Sequence, residues 1–161
     1  MSLFDDTLIV FPNNVIELVA TRITTLYPEL LVVKRPLKSS DNTQSVGLFP
    51  SDWLPDTSSF EMPSKEPTVQ VYLIQLQTFC KEFDEAKGIA THSVMSKVMR
   101  SLLYNDLPLQ VGLNTLSVTM NGATEKIQRR GVNRQKYLSN EIDGQFLYLS
   151  TLEYYIETET K

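Results

Sequence analysis

Two dipeptides constrain this chain more than any other feature: Asn121-Gly122 and Asp143-Gly144. Asn-Gly and Asp-Gly suit the two-residue hairpin turn in which both central residues take positive φ. Each is flanked by strand-like sequence. Val111–Met120 alternates loosely, Thr124–Leu138 returns from the first turn, and Gln145–Thr158 follows the second. Phe146, Tyr148, Leu152, Tyr154 and Ile156 fall on one face of that last strand, because side chains alternate with a period of two. The spacing predicts an antiparallel meander of three strands.

The sequence before it reads as mixed helix and strand. Val15, Leu18, Val19, Ile23 and Leu26 recur at helical spacing, with Asn14 and Glu17 placed as a capping box, so a helix is expected over 13–27, stopped by Pro28. Leu30–Arg35 and Ser45–Phe49 read as short strands around a polar loop. Pro50, Pro55, Pro63 and Pro67 follow within eighteen residues and exclude a central strand there. An extended, proline-rich arm is expected over 36–67. It carries Trp53 and Phe60, either packed back as a lid or exposed as anchors for a neighbouring subunit. Thr68–Phe83 is a long strand whose apolar positions change face near Ile74, which predicts a bulge or a switch of burial. The pairs Val94/Met95, Val98/Met99 and Leu102/Leu103 form one stripe of a second helix over 89–105, with Thr91 as its cap. The expected architecture is α+β. Two helices pack on a mixed or antiparallel sheet with a C-terminal three-strand meander and a long arm-like loop, in a single domain over 1–161.

Composition narrows the function. The chain has 161 residues, 42% of them hydrophobic, enough for a real core. The net charge of −4 argues against a general nucleic-acid binder. One cysteine, Cys80, rules out an intramolecular disulfide and fits a reducing compartment. The acidic start MSLFDD lacks the positive charge of a signal peptide, and no apolar run approaches the roughly 20 residues of a membrane span. A soluble protein is expected. One histidine, His92, opens a helix, and no glycine-rich nucleotide loop, HExxH or calcium-loop spacing occurs. No catalytic residue, metal or cofactor is therefore expected.

One run stands out against the acidic background. Lys126, Arg129, Arg130, Arg134 and Lys136 place five positive charges within eleven residues, directly ahead of the last strand. On a regular strand the four even-numbered residues share a side, and Gly131 is where a bulge would break that register. Glu153 and Glu157 lie opposite the apolar face of the last strand and can pair with the run. The alternative is that the basic face meets a neighbouring subunit's acidic face, or lines a passage for nucleic acid.

The stretch LSVTMNGATEKIQRRGVNRQKYLSNEIDGQFLYLSTLEYYIETE, Leu116 to Glu159, resembles the C-terminal half of tail terminator proteins of long-tailed bacteriophages, actinobacterial phages especially. VGLFPSDWLPD and VMSKVMRSLLYND are similar to that family in order and character, so the resemblance spans roughly Val46 to Glu159. It implies a non-enzymatic virion protein with an α/β fold, expected as a hexameric ring on the head-proximal end of the tail tube. Such a ring ends tail polymerisation and offers a surface for head attachment. The implied partners are further copies of the chain, the major tail protein, a head-completion or neck protein, and DNA passing transiently through the lumen. Assembly would take place in the bacterial cytoplasm. The family's motif carries no catalytic residues. Arg129, Arg130, Arg134, Lys136, Glu153 and Glu157 are the candidates for a lumen lining or subunit seam. Another neck or tail-tube protein, a binding module and an enzyme with a scattered site stand as alternatives.

Overall fold

The computed structural model describes residues 10–38, 40–41, 44–55 and 67–161. Three helices lie on one face of a curled, six-stranded mixed sheet, so the α+β class and the meander are as expected. In chain order these are α1 (Asn13–Leu26), β1 (Leu31–Val33), β2 (Gln44–Pro55), β3 (Val69–Glu82), α2 (Glu85–Asn105), α3 (Leu107–Thr115), β4 (Ser117–Met120), β5 (Ala123–Ile142) and β6 (Gln145–Thr160). The spatial order is β1-β2-β3-β6-β5-β4. Only the β1–β2 pair is parallel.

The turns are built as their residues require. Asn121 and Gly122 have φ of 53° and 81°, and Asp143 and Gly144 have 52° and 75°. The core forms between the even-numbered face of β3 and β6 and the three helices. Ile74, Leu76, Leu152, Tyr154 and Ile156 meet Val15, Val19 and Ile23 of α1, Met99 and Leu103 of α2, and Leu113 of α3. Complete burial of a side chain such as Leu152 contributes about 1.5–3 kcal/mol.

Several local expectations are corrected. Helix α1 carries no side-chain cap. Pro12 stands at its N-terminus, and Asn14 Oδ1 accepts a hydrogen bond from the neighbouring Val15 N at 2.8 Å. Helix α2 begins at Glu85 rather than near Thr91, because Asp84 Oδ1 accepts from Lys87 N at 3.0 Å. Gly88 therefore lies inside the helix, at a close approach: a Cβ there would sit 2.5 Å from Tyr148 Cε2. Residues 107–115, expected as strand, form α3 instead. Asp106 caps it through Leu109 N at 3.0 Å, and Pro108 sits in the first turn, where its missing N–H costs nothing. Asp106 also receives Arg22 Nε at 2.7 Å, which ties the α2–α3 corner to α1 and lowers its pKa.

Strand β3 pairs with β6 in unbroken register, and the register shift beside Ile74, between its partner Pro50 and Asp52, puts the extra residue on β2 rather than on β3. Its apolar residues serve two faces: Ile74 and Leu76 meet the helices, while Leu73 and Phe79 are buried on the other side. Of the expected 36–67 arm, residues 44–55 are strand instead, and 39, 42–43 and 56–66 lie outside the described residues. Pro50 and Pro55 lie on this strand, whose outer edge is covered among the described residues only at 45–47. Leu37 is folded across Gly47, and Leu37 N donates to Gln77 Oε1 at 2.9 Å. Arg35 and the Lys38 amide hold the Asp41 carboxylate, whose pKa falls to about 2.

Candidate interaction surface

Strand β5 carries the basic run, and its pairing with β6 slips twice, between Ile127 and Arg129 and between Val132 and Arg134. Each slip sets two β5 residues against one on β6. The even-numbered grouping of the charges is thereby corrected. Arg129 pairs with Glu157, Arg134 with Glu153 and Lys136 with Thr151, all on the face away from the helices, as does Lys126 with Glu159. Arg130 pairs with Ile156 and points to the helix side, where it donates to Asn114 Oδ1 at 2.9 Å and Gln110 Oε1 at 2.5 Å on α3. Gly131 keeps register and lies against Tyr155, whose hydroxyl would be 3.0 Å from an added Cβ.

The slips concentrate donors on two carboxylates. Arg129 reaches Glu157 with Nε at 2.8 Å and Nη2 at 3.0 Å, and Gln128 Nε2 adds a third bond at 2.7 Å. The bonds to Glu157 raise the Arg129 pKa further. Glu153 accepts from Asn133 at 3.3 Å and from Gln75 of β3 at 3.3 Å, with Arg134 Nε 3.8 Å away. Both arginines remain largely exposed while their carboxylates are mostly covered. The basic run is thus largely matched inside its own subunit, and its outer face presents weak net charge.

The predicted arm anchors separate. Trp53 is half-exposed and fixed to the sheet, its indole Nε1 donating to Gln70 Oε1 at 2.7 Å. Phe60 lies outside the described residues.

Two features were not legible as sites. His92 is buried, stacked on Tyr148 at 5.8 Å and edge-on to Tyr137 at 6.1 Å. Burial lowers its pKa. Its Nε2 has no hydrogen-bond partner among the described residues. It lines a groove of about 590 Å³ between the start of α2 and the β5–β6 hairpin, with Glu85, Tyr137, Asn140 and Glu141. Next to this, where α2 crosses β3 and β6, the buried hydroxyls of Thr78, Ser96 and Ser150 bond one another, Ser96 to Ser150 at 3.1 Å. The Cys80 thiol is buried and its pKa raised, first by burial and then by Glu82, which is the reverse of an activated nucleophile. No cluster of three metal-ligating side chains occurs among the described residues, and no helix of theirs is long and apolar enough to cross a membrane.

The long β5 edge is the other notable surface. Strand β4 covers only 123–126, so beyond that point β5 has a strand neighbour on one side alone among the described residues.

No family model and no curated protein matches this chain. One solved structure with an uninformative designation aligns over 94% of this chain and 97% of its own, with a TM-score of 0.43 and 9% identity. A likeness of that size carries no argument about fold or function.

Proposed function

We propose that the chain is a tail terminator: a virion protein that assembles as a hexameric ring on the head-proximal end of a phage tail tube. There it ends tail growth and offers the surface to which the head attaches. The observation that carries the reading is the resemblance over Leu116–Glu159, which coincides with the β4–β5–β6 meander, a continuous structural unit. The outer face of β5 fits a lumen that DNA must slide past. Arg129 and Arg134 are held by Glu157 and Glu153, so a passing phosphate meets a matched surface and not a row of bare cations. The expected partners are further copies of the chain, the major tail protein and a neck protein, within a particle assembled in the bacterial cytoplasm.

Tail length in particles made with and without the protein tests this. Over-long headless tails in its absence are expected. Normal tails on normal heads would overturn the reading, and normal-length tails that fail to join heads would move the protein to the neck.

A further inference from the structure

We propose that residues 134–142 of β5 are a docking edge for a second copy of this chain, paired antiparallel about a two-fold axis at Leu138. Among the described residues the end strands β1 and β4 offer edges of only three and four residues, and the longer β2 edge is guarded. β1 covers β2 at 45–47, and beyond that the edge carries two prolines. Thr160 N donates to Thr68 O, and alternation from this bond across β3 leaves the backbone nitrogens of 48, 50, 53 and 55 facing outward. Pro50 and Pro55 therefore remove two of those four donors. On β5, β4 covers 123–126, the two register slips distort the stretch up to Arg134, and Val132 N already donates to the Tyr104 hydroxyl at 2.8 Å. From Arg134 to Ile142 the register with β6 is regular. The stretch 134–142 contains no proline, and its charges are Arg134, Lys136 and Glu141. Tyr137, Leu138 and Ile142 are all more than half exposed there. A long, regular strand edge with open backbone donors recruits another strand.

Geometry selects the register. The two-residue turn makes Ile142 and Gln145 a hydrogen-bonded pair, so alternation turns the N–H groups of Gln135, Tyr137, Ser139 and Glu141 outward. Two copies can bond only through these residues. Centred on Leu138, Gln135 faces Glu141 of the second copy, and Tyr137 faces Ser139. Leu138 meets its own counterpart, and Lys136 meets Asn140. No like charges oppose one another. The incoming Glu141 lands beside Arg100, whose Nη1 donates to Gln135 Oε1 at 2.5 Å. Charge complementarity and mutual cover of Leu138 favour the second copy over an unrelated strand. The contact goes beyond the ring reading and does not depend on it.

The test is oxidation of a Leu138→Cys variant of the full chain. Directly opposed residues in a non-hydrogen-bonded antiparallel pair lie about 4.5 Å apart at Cα, within disulfide reach. Cys80 is buried and gives a low background. We expect a covalent, reducible dimer from Leu138→Cys and none from Asn140→Cys alone. Ser139→Pro, which removes an outward N–H, should shift sedimentation from dimer to monomer with unchanged thermal stability. A wild-type monomer at the highest soluble concentration would overturn the proposal. So would a mixture of Asp52→Cys and Asn140→Cys cross-linking in preference to Leu138→Cys, because that places the edge against a neighbour's β2 in a head-to-tail contact. Neither outcome bears on tail length, which tests the ring reading separately.

Discussion

Gly88 shows how much one missing side chain can matter. It lets α2 approach β6 until the Tyr148 ring occupies the space of its Cβ. Gly88→Ala should destabilise the protein by about 1–3 kcal/mol through overpacking, despite alanine's higher helix propensity. Thermal denaturation checks this, and in a Tyr148→Ala background the penalty should shrink, as coupling of two touching residues requires. His92 makes a second residue-scale prediction. Its folded-state pKa lies below the ordinary value of 6.5, so the unfolded chain takes up the proton more readily. Stability is then complete above about pH 6.5 and falls as the pH drops below it, by at most about 1.4 kcal/mol per pH unit. The decline ends at the lower folded-state pKa. Tyr137 and Tyr148 flank the ring, and Glu85 and Glu141 line the same groove. Comparing melting temperatures of wild type and His92→Phe between pH 7 and 5.5 isolates the histidine. An equal slope in both would refute it.

At the scale of elements, β5 divides what a sequence can reveal from what it cannot. Asn-Gly and Asp-Gly marked both hairpins because positive φ at two adjacent positions has a chemical signature. The register slips have none: nothing local to Gln128 or Asn133 distinguishes a bulged residue from a paired one. Parity counted from Lys126 therefore placed Arg130 with Arg134, although Arg130 braces α3 and Arg134 faces Glu153. Helix α3 was legible in principle, since Asp106 and Pro108 form a helix start, but the apolar spacing around Val111 suited a strand equally well. The division predicts separable effects. Arg130→Ser should cost about 1–3 kcal/mol by removing charge-assisted bonds to Gln110 and Asn114. Arg129→Ser, Arg134→Ser and Lys136→Ser together should leave the melting temperature nearly unchanged. On the terminator reading they should instead lower infectivity or ring stacking. Equal loss of stability in both variants would remove the distinction.

For the whole molecule, the fold class followed from the meander and one helix, the functional reading rests on resemblance, and the docking edge is one that only the assembled sheet displays. A strand's exposure depends on what lies beside it in space, so no property of residues 134–142 alone marks them as an edge. Their regular alternation resembles that of a strand with neighbours on both sides. The guarding features lie scattered at Pro50, Pro55, Tyr104 and the bulges, far apart in sequence and adjacent only after folding.

The closed edges have a further consequence. A subunit with two open strand edges has a valence of two, and each addition leaves a fresh site for the next, so the product is a fibre. Among the described residues two prolines interrupt the β2 edge, the bulges and Tyr104 occupy much of the β5 edge, and the end strands β1 and β4 are short, which leaves 134–142 as the longest regular open stretch. On the proposed two-fold pairing the site is used up by the contact it permits, so any larger assembly has to grow through side-chain surfaces and not through this edge.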